Sequence, residues 1–257
     1  MTLPRNHRVV AHRRVEPADS LDYFPTPPWA TRAPIVFFLG ESGFDRLTVE
    51  DPCCGEGHMA YPLADFFGEV RASDIHPYGY GSVRDYFDRA AWAEIEPPHW
   101  TFLNPPFGDK SLPFLLHALG RSRLGVAAFV RTTQTEGIGR YEQLFSRYRP
   151  ALVLQFVERV PLHRGRWIPD GDTLTAYSWI VWRLDRTVRR TDFEWIPPIA
   201  RSTLHYQRDL DALPWSTRPP KKAKPRFSRR RQRVGGIRRA TFRLRTPSAA
   251  FLPEAAE

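Results

Sequence analysis

Residues 104 to 107 read Asn-Pro-Pro-Phe. Consecutive prolines fix two φ angles and remove two backbone donors, and a residue ahead of proline is held extended, away from helix. Asn104, Pro105, Pro106 and Phe107 therefore form a stiff ledge at the end of the apolar run Trp100-Thr101-Phe102-Leu103. The ledge offers a side-chain amide oxygen, the Pro105 carbonyl and an aromatic face. Two acceptors beside a ring suit a planar group bearing NH2, because each oxygen takes one proton while the ring stacks on the plane. Taken alone, the same four residues equally suit a loop that merely ends a strand.

The elements that must position such a ledge lie upstream. Arg46 to Glu50 is strand-like, Asp51-Pro52-Cys53-Cys54-Gly55-Glu56-Gly57 is a glycine-bearing turn, and residues 57 to 67 read as a helix. Strand, glycine turn and helix form the first unit of a nucleotide-binding α/β sheet, with Gly55 and Gly57 allowing close backbone approach to a ligand. Tight turns of this kind favour glycine in any case. The next strand, 69 to 74, ends at Asp74, about 20 positions on, where such folds hold a ribose hydroxyl pair; a strand-end turn residue is the plainer account.

Asp51-Pro52-x-x-Gly55-x-Gly57 followed by Asn104-Pro105-Pro106-Phe107 resembles the S-adenosylmethionine-dependent amino-methyltransferases, above all the adenine-specific DNA enzymes. Tyr23-Phe24-Pro25-Thr26-Pro27-Pro28-Trp29 resembles the Thr-Pro-Pro segment that precedes their glycine motif. The stretch Arg159 to Arg183 is similar, more loosely, to small phage-encoded members. The resemblance spans roughly residues 20 to 185. It implies a Rossmann-like class I methyltransferase fold, a mainly parallel seven-stranded sheet with an antiparallel edge hairpin. It also implies S-adenosylmethionine held by Tyr23, Thr26, Pro27, Asp51, Pro52, Cys53, Gly55, Gly57, Asp74, Ile75, Asp85 and Tyr86, with Asn104, Pro105, Pro106 and Phe107 catalytic. The family usually has an aromatic residue where Cys53 stands, so the thiol leaves the cofactor pocket less filled.

An adenine amino group is a poor nucleophile, its lone pair being delocalised into the ring. Acceptance of its two protons by Asn104 and the Pro105 carbonyl draws the nitrogen toward a tetrahedral form, so positioning and fixed dipoles supply the rate. In a duplex the base must first be rotated out. Asn-Pro-Pro-aromatic also occurs in RNA base and protein glutamine methyltransferases. A non-catalytic nucleic-acid-binding protein on a decayed methyltransferase fold is a further alternative.

The chain has 257 residues and a formal net charge of +10, unevenly placed. Thirteen Lys or Arg fall between Arg218 and Arg245 with no acid between Asp211 and Glu254, and residues 1 to 14 hold four Arg and no acid. Residues 15 to 217 then carry 21 basic against 26 acidic residues. The expected organisation is a flexible basic arm (1–19), a methyltransferase domain (20–213) and a basic, disordered tail (214–257) acting as an electrostatic arm on nucleic acid, DNA ahead of RNA. The neighbouring Cys53 and Cys54 are the only cysteines; they provide no disulfide framework or metal clip and read as small buried fillers. With no signal-like run and no stretch of eighteen apolar residues, a soluble cytoplasmic protein is expected.

Further expected elements are a helix from Pro28 to Leu39 interrupted by Pro34, a short third strand within 82–88, a fourth at 100–104 and a helix at 111–121 N-capped by Ser111. A fifth strand at 125–130, a helix at 141–148 and paired strands at 151–157 and 176–183 complete the set. Alternating strands and helices argue a mainly parallel sheet. The loop 158–173 is too long for an idle hairpin. His163, Arg164, Arg166 and Trp167 mix charge and aromatic surface suited to phosphates and bases, or else Trp167 folds back onto the sheet.

Overall fold

A computed structural model describes residues 22–40 and 42–217. The basic arm and the tail from 218 onward lie outside the described residues. Eight strands form one sheet: β1 (Thr48–Asp51), β2 (Glu69–Asp74), β3 (Ser82–Val83), β4 (Trp100–Leu103), β5 (Gly125–Arg131), β6 (Leu152–Phe156), β7 (Tyr177–Arg183) and β8 (Asp192–Ile196). Their order is β3-β2-β1-β4-β5-β7-β6-β8. Strands β1 to β5 pair in parallel, β7 runs antiparallel to both β5 and β6, and β8 is parallel to β6. This is the expected Rossmann-like, mainly parallel sheet, with one strand more than expected. Because β8 pairs outside β6, the reversed hairpin lies inside the sheet and not at its edge.

The central strands are buried on both faces, as parallel strands covered by helices must be, and so read as near-continuous apolar runs. Successive side chains point to opposite faces. Phe102, Phe129, Leu154 and Trp179 therefore pack under the N-terminal helix Pro28–Pro34, while Leu103, Val126, Val130 and Trp182 meet the helix Ser111–Arg121. Fully burying such side chains stabilises by roughly 1.5–3 kcal/mol each. The Trp179 indole N–H is not orphaned: it donates to the Ala30 carbonyl at 2.9 Å.

Arg32 closes the N-terminal helix onto the C-terminal part of the body. Its guanidinium is fully buried; it meets both oxygens of Asp209 at 2.7 and 2.8 Å and Asp65 at 2.7 Å, and donates to the Leu204 carbonyl. The Tyr206 ring covers it at 4.3 Å.

Several local expectations are corrected. The helix after the glycine turn is only Ala60–Leu63, flanked by turns in place of the continuous 57–67 segment. The N-terminal helix passes through Pro34 and ends in a π turn, Ile35–Leu39, closed by the Gly40 N–H on the Ile35 carbonyl. Residues 138–145 form a short α segment followed by a π turn. Ser111 is the first helical residue and not the N-cap; its hydroxyl donates to the Gly108 carbonyl at 2.8 Å. Among the described residues no helix is long and apolar enough to cross a membrane.

Candidate active site

A cavity of about 370 Å3 opens where β1, β2, β3 and β4 end. Pro52 to Cys54, Asp74 with Ile75, Arg84 to Phe87, and Asn104 with Pro106 line it from the four strands in turn. The strand order reverses between β1 and β4, so the connections diverge there and leave the crevice that binds ligands in such sheets. Asp22 to Thr26 cross over it, and Lys110 and Phe114 close one side.

The glycine turn is shaped by two residues with positive φ, Gly55 at +51° and Gly57 at +87°. A Cβ on Gly55 would stand 2.2 Å from the Tyr23 ring, and one on Gly57 would stand 2.3 Å from Tyr80. The freedom of glycine therefore serves the close packing of rings on the turn. The Gly55 N–H donates to Asp74 Oδ2 at 2.9 Å and the His76 N–H to Oδ1 at 3.1 Å. Each oxygen keeps a lone pair for a ligand. Asp51 lies beneath: buried, it accepts from the Cys53 N–H at 3.3 Å, and burial pushes its carboxyl well above the usual range.

Of the residues expected around the cofactor, Tyr23, Thr26, Pro52, Cys53, Asp74, Ile75, Asp85 and Tyr86 line the cavity. Pro27, Asp51, Gly55 and Gly57 do not line it. Burial also pushes the Cys53 thiol well up, so it is neutral and no nucleophile.

Asn104 is held in one orientation. Its amide nitrogen donates to the Phe24 carbonyl at 2.8 Å and to the Thr26 hydroxyl at 3.0 Å. A carbonyl oxygen only accepts, so the NH2 must face Phe24 and the amide oxygen must face the other way. Asn104 lines the cavity, and its oxygen carries no protein donor among the described residues. The Pro105 carbonyl, on a residue with no N–H of its own, follows it directly.

Phe107 departs from expectation. Its N–H is anchored by the Asp22 carboxylate, and its ring packs on Phe24 at 5.0 Å and beside Tyr177 at 6.4 Å. The Arg131 guanidinium lies 4.5 Å over the ring, and the ring does not line the cavity.

The long loop is divided. Arg164 and Arg166 are exposed and His163 is half-buried. Trp167 is 1% exposed, edge-on to His58 at 5.4 Å and tilted against His205 at 6.1 Å. It folds back and offers no face to a base, because its large apolar ring fills space against the body. The Gly165 N–H donates to the Tyr23 carbonyl at 2.8 Å, which fastens the loop beside the cavity.

His58, Arg84, Phe87, Lys110 and Phe114 line the cavity without having been expected there. For His58 a signal existed, its place directly after Gly57; the others carry none. His58 Nε2 donates to the Pro214 carbonyl at 2.9 Å, leaving Nδ1 bare and 3.3 Å from the Tyr23 hydroxyl, which itself donates to Glu56 Oε2 at 2.8 Å. Burial lowers the His58 pKa from 6.5 to about 4. The unfolded chain therefore takes up a proton before the folded one does. The neutral imidazole's contribution is complete above pH 6.5 and is lost as pH falls toward 4, on the order of 3 kcal/mol in all. Denaturant titrations of wild type and His58→Gln at several pH values should show the wild type losing that much more between pH 7 and 4. Parallel pH curves would place the proton elsewhere.

No protein-family model matches the chain, and no curated protein matches it. Solved structures do. A modification subunit of a putative type I restriction enzyme from Vibrio vulnificus YJ016 is 12% identical, with TM-score 0.47, over 76% of this chain and 52% of that one. This chain thus spans about half the length of that subunit. A putative RNA methyltransferase from Pyrococcus horikoshii is 17% identical, with TM-score 0.48, over 66% and 91%. A T. thermophilus 16S rRNA N2 G1207 methyltransferase, solved with AdoMet and guanosine, is 15% identical, with TM-score 0.41, over 68% and 44%.

Proposed function

We propose that this protein transfers a methyl group from S-adenosylmethionine to an exocyclic amino group, that of adenine in DNA ahead of RNA. The observation that carries the reading is the fixed orientation of Asn104. Two acceptors on its nitrogen aim its oxygen away from Phe24, so the site presents an acceptor to a planar amine, with the Pro105 carbonyl next in the chain.

The residues present fit the cofactor. The cavity, about 370 Å3, falls in the range of about 300–1,000 Å3 usual for small-molecule sites. Asp74 stands at the end of β2 with lone pairs for a hydroxyl pair. Ile75, Phe87 and Phe114 give apolar walls for a base, and the carboxylates of Asp22, Asp74 and Asp85 outnumber the cations of Arg84 and Lys110 in the lining. When bound, the cofactor supplies an electrophilic methyl on a sulfonium. Asn104 Oδ1 and the Pro105 carbonyl would take the hydrogens of the amine and turn its lone pair out of conjugation. Neither strong base nor cysteine nucleophile is required, since the proton leaves after transfer. The excess of basic residues in the chain supports a polyanionic substrate.

Incubation with labelled S-adenosylmethionine and, separately, DNA, RNA and cell protein tests this, with the labelled product identified after digestion. N6-methyladenine from DNA is expected. Label in RNA alone moves the substrate, and label in glutamine or in nothing defeats the reading.

A further inference from the structure

We propose that Arg131 is a substrate-contacting residue: its guanidinium rests on the Phe107 face that the reacting base takes, and binds a flanking nucleic-acid phosphate once displaced. The inference rests on the nucleic-acid methyltransferase reading.

Arg131 ends β5, next to β4, whose last residue precedes Asn104. Its backbone is rigid. Residue 131 pairs with Tyr177 in the ladder. The Thr132 N–H donates to the Ala176 carbonyl at 3.0 Å, and the Thr132 hydroxyl bonds Gln155 and Ser178 at 2.9 Å each. The side chain is the opposite. Its Nε is buried with no hydrogen-bond partner, and among the described residues the guanidinium has no ion pair, only the Phe107 ring.

Other enclosed arginines of the body are satisfied: Arg32 by Asp65 and Asp209, Arg71 by Glu69, Arg183 by Asp185. Arg131 is left with a ring, as is Arg84 over Trp92, an interaction far weaker than a bidentate pair with an anion. A guanidinium is flat and stacks as a base does. It therefore covers a face of the Phe107 ring, just outside the cavity lining, until a planar amine arrives. Its fork of five N–H donors then matches a phosphate, the anion carried by every nucleotide next to a rotated-out base.

The test uses the full chain with Arg131→Ala and Arg131→Lys. It measures KM for DNA across a salt series, kcat, cofactor affinity by calorimetry and thermal midpoint. Arg131→Ala should raise KM for DNA about tenfold, more than it changes kcat, and lower the slope of log KM against log salt by about 0.9, the signature of one lost phosphate contact. Arg131→Lys should keep the wild-type slope. Cofactor affinity should not change. An unaltered slope in Arg131→Ala, or a fall in cofactor affinity parallel to the rise in KM, overturns the assignment and leaves the methyltransferase reading in place. Wild-type protein that labels no nucleic acid overturns both.

Discussion

Asn104→Ala is expected to reduce methyl transfer by two or more orders of magnitude while leaving cofactor affinity near its wild-type value. The substitution deletes a preorganised acceptor that acts on the reacting amine, and loss of one such partner costs about 10²–10³ in rate. The prolines keep the ledge extended, so the fold should survive. Asn104→Asp sharpens the result. A carboxylate has no hydrogen to give the Phe24 carbonyl, now 2.8 Å from the amide nitrogen, and two facing acceptors repel. That variant keeps an oxygen in the cavity yet should be as poor as the alanine form. Single-turnover assays with labelled cofactor, alongside calorimetry, measure both. Activity within a few fold of wild type in either variant would remove this motif from the chemistry.

Arg32→Ala should cost about 3–5 kcal/mol of stability, because it leaves the fully buried Asp209 carboxylate without its partner. Urea denaturation should show the midpoint fall without a matching change in slope. Replacing the pair together, Arg32→Met with Asp209→Leu, should recover most of the loss, since well-packed apolar groups substitute for a buried ion pair at small cost. A double variant no more stable than Arg32→Ala would show that the arginine's further contacts, with Asp65, Leu204 and Tyr206, decide the matter.

What was legible in the sequence is what local stereochemistry dictates. Glycine at positive φ announces itself, so the turn at 55–57 and the strands ending at Asp51 and Leu103 read correctly, while the aromatic face expected of the ledge at 104–107 is covered by Arg131. Strand β8 was missed although Asp192-Phe193-Glu194-Trp195-Ile196 alternates with a period of two, because it is short and mostly exposed. The placement of Trp167 could be posed only as alternatives, since a tryptophan beside arginines reads equally as a base platform or as filler. The orientation of Asn104 and the state of Arg131 were not legible at all. Each depends on a contact made only when the chain folds, across 80 residues for Asn104 and Phe24, and no spacing rule reports it.

The contacts of residues 22 to 26 with the ledge bear on how this chemistry can be transplanted. Asp22 fixes the Phe107 N–H, Phe24 and Thr26 fix the Asn104 amide, and the Phe24 ring packs on Phe107. A chimera that receives only the four residues of the motif inherits the letters but not the aim, since nothing in a foreign scaffold tells the amide which end to present. The unit of exchange is a discontinuous pair of segments, and swaps between homologous sheets should preserve activity only when both come from the same parent.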